Sequence, residues 1–226
     1  MYYSVNRTLS MAEWQPRMVE LLGKALELEG MQSSERETTI VNTYRQSLKA
    51  EMATNAPRSA YVRVLNPVED RPKYHLVYLT AHPRGINEFM EKSESVDLIQ
   101  RQVRAQVQIS RRDQTTGTTD MFGAAAEAVP QGDGSVSGGD VENFWIGYLR
   151  TWGGMRRIDA AEFANILERT NWFPGDLQAS LVRLIYRDKR VTNVDAKGKR
   201  PKKPLHFLEG ETLRLEDHSV EHHYAH

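Results

Sequence analysis

The sequence predicts two folded parts of different class, an incomplete α/β unit followed by a small α+β unit. The first part is predicted by segments with helical periodicity that are followed by two closely spaced apolar strands. This order of elements suits the closing end of an α/β sheet. Three amphipathic helices followed by two short strands predict the second. Residues 113–139 are rich in Gly, Ser and Thr, which is typical of a flexible linker between the two parts.

The composition excludes several classes of protein. The 226 residues carry 30 basic and 30 acidic side chains, so electrostatic attraction to a partner has to come from a local cluster. Cysteine is absent, which excludes disulfides, thiolate metal ligands and Cys nucleophiles. No apolar run has the length of a transmembrane helix, and no signal-peptide pattern is present. We therefore expect a cytoplasmic protein without a membrane partner.

The first part, residues 1–112, begins with a short predicted strand and two helices. MYYSV favours the strand, and residues 12–28 carry large apolar side chains at helical spacing. The second helix is predicted to begin near Ser34. Ser33 or Ser34 can cap it, and Glu37 lies at capping-box distance from Ser34.

Two strands and a long helix complete the first part. The strands are predicted at 61–68 and 74–81, with the charged, proline-containing EDRPK as the loop between them. The helix is predicted from after Pro83 to about residue 110. Its apolar side chains share one face, predicted to pack inward, while Arg101, Arg104 and Gln108 look outward. The apolar set is Val96, Ile99, Val103 and Val107.

The second part, residues 140–208, is predicted as three helices and a ribbon. The helices are predicted at 140–150, at AAEFANILERT with Asp159 as its cap, and at DLQASLVRLIYR. Arg157 and Ile158 can form a short strand, and VTNV and LHFL form the ribbon. This order resembles a winged helix-turn-helix, whose third helix is in the recognition position.

A basic segment within the ribbon indicates nucleic-acid contact. Five of the seven residues from 197 to 203 are Lys or Arg, a high density in a neutral chain. The third helix is predicted to expose Gln178 and Arg183, the candidates for reaching bases, together with Arg187. The full candidate set is Gln178, Arg183, Arg187, Lys197, Lys199, Arg200, Lys202 and Lys203. The alternative is a protein-docking module whose basic loop is only a solvated turn.

The first part also resembles the second half of the three-Cys-motif partner proteins (TcmP), which have a class I methyltransferase-like fold. The resemblance rests on MYYSVNR, TYRQSL and RPKYHLVYLTAHPRGINEFMEK, and covers residues 1 to about 105 and, more loosely, the second part. It implies a partial Rossmann-like methyltransferase sheet. It also implies a protein partner of the radical-SAM-like class that carries the three cysteines.

The cofactor-binding half of that family has no counterpart in this sequence. No G-x-G lies between a strand and a helix, and no acidic residue closes a following strand to hold a ribose. The resemblance therefore implies that this chain alone binds no cofactor. It would bind S-adenosylmethionine only with an added N-terminal half.

Four residues are candidates for chemistry in such an assembly. His82 can exchange protons near neutral pH, and Arg84 can hold a phosphate at the start of a helix. Pro83 and Gly85 favour the alternative, in which the T-x-H-P-x-G corner only starts the helix. The resemblance adds Asn6 and Arg7, an Asn-Arg pair after a strand, for which a loop cap or a surface ion pair is the alternative.

The two ends of the chain give two further expectations. In the tail, residues 209–226, His218 and His222 are spaced to share a helix face, but a solvated terminus is favoured over a metal site. At the other end, a partial sheet would leave a strand edge near residues 2–5 in search of another strand, which predicts a homo-oligomer or a tight complex.

Three functions are consistent with these observations. The favoured one is an accessory subunit, not catalytic on its own, that associates with nucleic acid. The second is the C-terminal fragment of an S-adenosylmethionine-dependent methyltransferase that needs its N-terminal half. The third is a scaffold that recruits a radical-SAM-like partner.

Overall fold

The computed structural model describes residues 12–53, 56–69, 72–116 and 138–216. The chain divides into two compact units, Met1–Gln131 and Gly132–His226, and the division falls inside the predicted linker segment. The described residues form six α-helices and two small antiparallel sheets, so the mixed α/β class is confirmed. Within these residues, no helix has both the length and the apolar character that crossing a bilayer requires.

In the first unit, two helices precede a two-stranded sheet and a long helix follows it. The elements are a 3₁₀ turn at Ala12–Trp14, α1 (Gln15–Leu22), α2 (Ser33–Ala50), β1 (Arg58–Leu65), β2 (Pro72–Thr80) and α3 (Pro83–Thr116). β1 and β2 are antiparallel, with Arg63 opposite His75 and Ala60 opposite Tyr78. The predicted strand at MYYSV, and with it Asn6 and Arg7, lies outside the described residues.

Helices α2 and α3 cover opposite faces of this sheet. On one face, Arg63 and His75 both contact the Glu37 carboxylate of α2, at 2.9 and 2.8 Å. On the other face, Tyr78 stacks on Phe89 of α3 with ring centroids 4.8 Å apart. Because successive side chains of a strand point to opposite faces, these contacts give a helix–sheet–helix sandwich.

The cap predicted for α2, Ser33 or Ser34, is wrong by one or two residues. Gln32 is the N-cap, and Glu35 completes the capping box by accepting from the Gln32 backbone N–H at 3.3 Å. The predicted box partner, Glu37, instead reaches the strands. Its position is explained by the Arg63 charge and the His75 contact, since a charged partner attracts a carboxylate more strongly than a neutral backbone amide does.

The predicted orientation of α3 is also wrong. Two polar side chains face the sheet: Gln100 accepts from Leu65 N and donates to Arg63 O, each at 3.1 Å, and Arg104 donates to Glu69 O at 3.3 Å. Gln108 is exposed, as predicted. Val96, Ile99 and Val103 are exposed. Periodicity identified the apolar stripe correctly, but not which side of the helix the sheet occupies.

The second unit alternates helices with three short strands. Its elements are α4 (Gly138–Thr151), β3 (Met155–Ile158), α5 (Ala160–Thr170), α6 (Pro174–Val182), a π-helical turn at Arg183–Arg187, β4 (Val191–Asn193) and β5 (Glu211–Leu215). The sheet order is β3–β5–β4 and every pair is antiparallel. The helices bury their apolar faces in a shared core, and the fully buried side chains include Trp145, Phe163, Leu177, Leu181 and Leu213.

The Asp159 cap is confirmed, whereas the second ribbon strand is not where it was predicted. The Asp159 carboxylate accepts from Ala161 N and Glu162 N, both at 2.9 Å. LHFL (205–208) is not a strand, and β5 lies beyond the predicted end of this part at residue 208. LHFL is apolar because it packs on the core: Leu205 is buried, and Phe207 stacks on Phe163 at 4.0 Å.

Candidate nucleic-acid interface

The candidate interface is the segment between β4 and β5, residues 194–210, here called the basic loop. A buried carboxylate at its base holds it in place. Glu211 is only 4% exposed. One of its oxygens accepts from Asn193 Nδ2 and from His206 N, both at 2.7 Å, and the other is paired with Arg200.

Further hydrogen bonds fix the course of the basic loop. Asn193 Nδ2 also donates to Pro204 O at 2.7 Å. The Tyr186 hydroxyl accepts from Arg200 N at 2.7 Å, which ties the loop to the π-helical turn after α6. Near the loop's start, Asp195 accepts from Thr212 N at 2.7 Å. The loop is therefore held at its start and along its second half.

The pKa of Glu211 reflects this network. Burial alone would raise it, but hydrogen bonds from the His206 backbone, Arg200 and Asn193 together with the Arg200 charge outweigh burial and lower it below the ordinary value of 4.5. The side chain is therefore an ionised anchor at neutral pH.

Gln178, predicted to be exposed and to reach bases, has a structural position instead. It is buried, and its amide donates to Leu205 O at 2.8 Å and accepts from Leu205 N at 3.2 Å. Both ends of the amide are therefore committed to holding the basic loop against α6. A side chain that read a base edge would need them free.

Two of the predicted cations are engaged within the fold. Arg183 is paired with Glu142 of α4 and also donates to Gly138 O at 3.3 Å. Arg200 is paired with Glu211, and the Arg200 side chain is largely buried. These two arginines stabilise the unit and are poorly placed to contact a partner.

The remaining predicted cations are exposed along the basic loop and just before β4. Those predicted are Arg187, Lys197, Lys199, Lys202 and Lys203. Lys189 and Arg190 are exposed as well, although they were not among the predicted residues. The RDKR run at 187–190 was the signal that could have identified them. Residues 187–203 hold eight basic and two acidic side chains.

The surface of α6 offers little for reading bases. All of this helix is described, and Ala179 is its one exposed residue. Asp176 accepts from Phe173 N at 3.3 Å and so caps the helix, while the Ser180 hydroxyl donates to Leu177 O at 2.9 Å. A helix that reads the major groove presents long polar side chains to base edges. The exposed cations of the basic loop are therefore better suited to contact phosphates than the surface of α6 is to contact bases.

One group of side chains in the described residues has the donor types for a metal. His206, Glu209 and Glu211 bring their ligand atoms within 4.8 Å of one another. Both oxygens of Glu211 already accept hydrogen bonds or an ion pair, so the network described above accounts for the group. The weak metal candidates of the tail, His218 and His222, lie outside the described residues.

The T-x-H-P-x-G corner of the first unit lies between β2 and α3. His82 Nδ1 accepts from Arg84 N at 3.2 Å, so the imidazole caps the helix. Arg84 pairs with Glu88, one turn along α3, at 2.8 Å. Gly85 is required by space, since a Cβ there would lie 2.9 Å from the Thr80 hydroxyl oxygen. These contacts support the structural interpretation of the corner over the catalytic one.

Comparisons with protein-family models, with curated proteins and with solved structures find no match to this chain. The resemblance to three-Cys-motif partner proteins therefore remains a prediction from the quoted residues.

Proposed function

We propose that this protein is an accessory subunit, not catalytic on its own, that contacts nucleic-acid phosphates through the basic loop. The observation that carries the proposal is the separation of charges in this loop. Its one arginine is turned inward onto Glu211, while its lysines are exposed to solvent. A held backbone with the exposed ammonium groups of Lys197, Lys199 and Lys202 is the arrangement that phosphate contact needs.

The order of elements supports a winged helix-turn-helix for the second unit. In that fold, a helix and a strand precede the helix pair, and the last two strands form the wing. The last strand lies between the other two, as β5 lies between β3 and β4. The basic loop then corresponds to the wing, and α6 to the helix in the recognition position.

The proposed binding is electrostatic and largely independent of sequence. Phosphate contacts fix a protein on a duplex without reading it, and each neutralised phosphate releases counterions. If about four of the exposed cations engage phosphates, the slope of log K against log salt is roughly −3.6 for duplex DNA. Gln178 has the side-chain type most suited to hydrogen-bonding adenine, but its amide is bonded to Leu205 inside the unit.

A salt titration tests this function. Anisotropy of a labelled 20-base-pair duplex, measured from low to physiological salt, should give a steep linear slope for the full chain. The variant with Lys197, Lys199 and Lys202 replaced by Gln should bind at least about tenfold more weakly, with a slope shallower by roughly 2 to 3.

A charge-matched variant separates the loop from the general charge of the protein. Lys24, Arg150 and Arg169 are exposed and lie outside the basic loop. Replacing these three by Gln should leave the affinity and the slope nearly unchanged. No binding at low salt, or equal losses in the two triple variants, would remove the phosphate-contact function.

A protein-docking role for the second unit is the second candidate. It is favoured by α6, which exposes Ala179 and no long polar side chain, since small side chains allow another backbone to approach closely. This role predicts no duplex binding at low salt. It also predicts that an Ala179→Arg substitution blocks the partner without unfolding the unit.

A further inference from the structure

Strand β2 lies at the edge of the two-stranded sheet and is open to another strand. Among the described residues, β1 is the only strand that pairs with it. No residue of β2 is buried, whereas β1 buries Ser59, Ala60 and Tyr61. Within β2, Tyr74 and Leu76 are 42% and 50% exposed. β2 is therefore the peripheral strand of the first unit.

Side chains occupy the opposite edge of the sheet, which runs along β1. Gln100 of α3 donates to Arg63 O and accepts from Leu65 N, each at 3.1 Å. Arg45 of α2 donates to Ser59 O. Backbone groups that are bonded in this way are not available to a new strand, so the β1 edge is the less accessible of the two.

The contacts of β1 also show which backbone groups of β2 point outward. The C=O group of Arg63 points away from β2, and in an antiparallel pair the residue opposite, His75, has the matching orientation away from β1. Because this direction alternates along a strand, the N–H and C=O groups of Val77 and Leu79 also point away from β1. Among the described residues, no group donates to or accepts from the Val77 and Leu79 backbone on this side. Such a row of donors and acceptors matches the backbone of another extended strand.

The middle of β2 lacks the features that usually protect an edge strand. Natural edges carry Lys or Pro, a bulge, or a very short strand. Pro72 and Lys73 lie at the beginning of β2, and the bulge between Val64 and Leu65 of β1 lies at the same end. The segment from 74 to 80, YHLVYLT, has no Lys, Arg, Asp, Glu or Pro and is rich in β-forming residues. Because an open edge of this type promotes aggregation, we expect it to be covered in the folded protein.

The sequence of β2 makes a second copy of β2 a fitting occupant. An antiparallel pair centred on Val77 brings the outward backbone groups of the two copies opposite each other. It also places branched or aromatic side chains opposite each other, and no charged side chain opposite a like charge. The pairs are Val77–Val77, His75–Leu79, Leu76–Tyr78 and Tyr74–Thr80.

The two edges of the sheet together favour a closed dimer. Pairing of β2 with its copy gives the strand order β1–β2–β2–β1, and both outer edges are then the β1 edges that Gln100 and Arg45 occupy. A contact of this kind uses the same patch on both copies and leaves no free patch for a third. A strand from a different protein could also cover the edge, but it would not require β2 to be complementary to itself.

We propose that two copies of this protein form a dimer in which their β2 strands pair antiparallel about Val77. The pairing joins the two small sheets into one sheet of four strands. This surface is independent of the basic loop, and it differs from the strand edge near residues 2–5 that the sequence suggested.

Sedimentation equilibrium of the full chain at micromolar concentrations tests the dimer. Val77→Pro removes the central N–H, which points away from β1, so the β1–β2 ladder keeps its hydrogen bonds. The dissociation constant should rise by about 30-fold or more, because both central hydrogen bonds between the copies are lost. Circular dichroism of the variant should match the parent.

A second variant and a matched control keep the backbone donors intact. Val77→Lys places two ammonium groups opposite each other at the axis and should weaken the dimer by about tenfold or more. Val64→Lys is the control, since Val64 is also half-buried but lies on β1, away from the new contact. The dimer should persist in this control.

Cross-linking tests the direction of the pair, and the absence of native cysteine makes each single cysteine unambiguous. Val77→Cys should form an intermolecular disulfide on mild oxidation, because the Cα atoms of such a pair lie about 5.5 Å apart. Lys73→Cys should not, since four residues from the axis its two copies lie about 27 Å apart in an antiparallel pair. In a parallel pair they would be adjacent.

Several results would overturn the proposal. A monomer at about 100 micromolar, where even weak specific dimers associate, would mean that another segment of the chain or a strand of a different protein covers the edge. A dimer that survives both Val77 variants, or that Val64→Lys disrupts equally, would place the contact elsewhere. Efficient cross-linking through Lys73→Cys would refute the antiparallel direction.

Discussion

Replacing Glu211 by Gln tests whether one buried carboxylate holds the basic loop. The carboxylate receives three N–H donors, from Asn193, His206 and Arg200. The Gln amide keeps one acceptor oxygen, which can retain the bonds from Asn193 and His206. Its NH₂ group then faces the Arg200 guanidinium, so the charge-assisted bond is lost and two donors oppose each other.

The expected loss follows from this geometry. A hydrogen bond to a charged group contributes about 1.5–3 kcal/mol, and the two retained bonds weaken because their acceptor becomes neutral. Arg200 is partly accessible and can recover water, which limits the cost. We expect the free energy of unfolding of the second unit to fall by about 2–3 kcal/mol at pH 7, or its Tm to fall by roughly 10 °C.

Urea unfolding followed by tryptophan fluorescence is the assay. Trp145, Trp152 and Trp172, three of the four tryptophans, lie in the second unit, so the signal reports mainly on that unit. Glu209→Gln is the control, because this neighbouring side chain is 74% exposed and should change stability little. An unfolding free energy for Glu211→Gln within 0.5 kcal/mol of the control would refute the anchoring role.

The difference between the Glu211→Gln variant and the parent should also depend on pH. Because the pKa of Glu211 is lowered in the fold, its stabilising contribution is complete above the ordinary glutamate value of 4.5. That contribution is lost as the pH falls through the lowered value. The two proteins should therefore differ by a constant amount from pH 7 to about 5 and should converge in stronger acid.

Three other substitutions test the remaining structural assignments. Glu37→Gln should destabilise the first unit by about 1–3 kcal/mol in urea unfolding followed by circular dichroism. Burial alone would raise the pKa of Glu37, but contacts with His75 and Arg63 lower it, so this difference too should shrink as the pH falls below 4.5. His82→Ala should lower the free energy of unfolding by only about 0.5–1 kcal/mol, because the helix loses its cap. A larger effect on duplex binding than on stability would contradict a purely structural role for the T-x-H-P-x-G corner. Gln178→Leu should cost about 1–3 kcal/mol in stability without changing which duplexes are preferred in competition; a changed preference would restore base contact.

The local order of elements was predictable from the sequence, because it depends on signals within a few residues. The helix from residue 160 to 170 combines an Asp cap with a regular apolar stripe, and it was predicted to the residue. The strand positions of the first sheet were predicted within three residues, since the apolar runs and the loop between them are distinct. Such segments need no knowledge of what packs against them.

The errors concern partners that are distant in sequence. LHFL and a true strand have the same apolar composition, and only the position of Phe163 explains why Phe207 packs as a loop side chain. The orientation of α3 depended on Gln100 finding two backbone groups of β1 some 35 residues away. Gln178 is polar and was therefore predicted to be exposed, yet its two bonds to Leu205 satisfy it when buried.

The basic loop shows how residue type decides which cations of one charged segment anchor it and which stay exposed. A guanidinium is planar, weakly hydrated and able to present several donors at once, so it can be drawn against a buried carboxylate. An ammonium is compact and strongly hydrated, and burying it costs more. Arg200 accordingly pairs with Glu211, while Lys197, Lys199 and Lys202 remain exposed. Arg200 is therefore better interpreted as the anchor of the loop than as one more exposed cation.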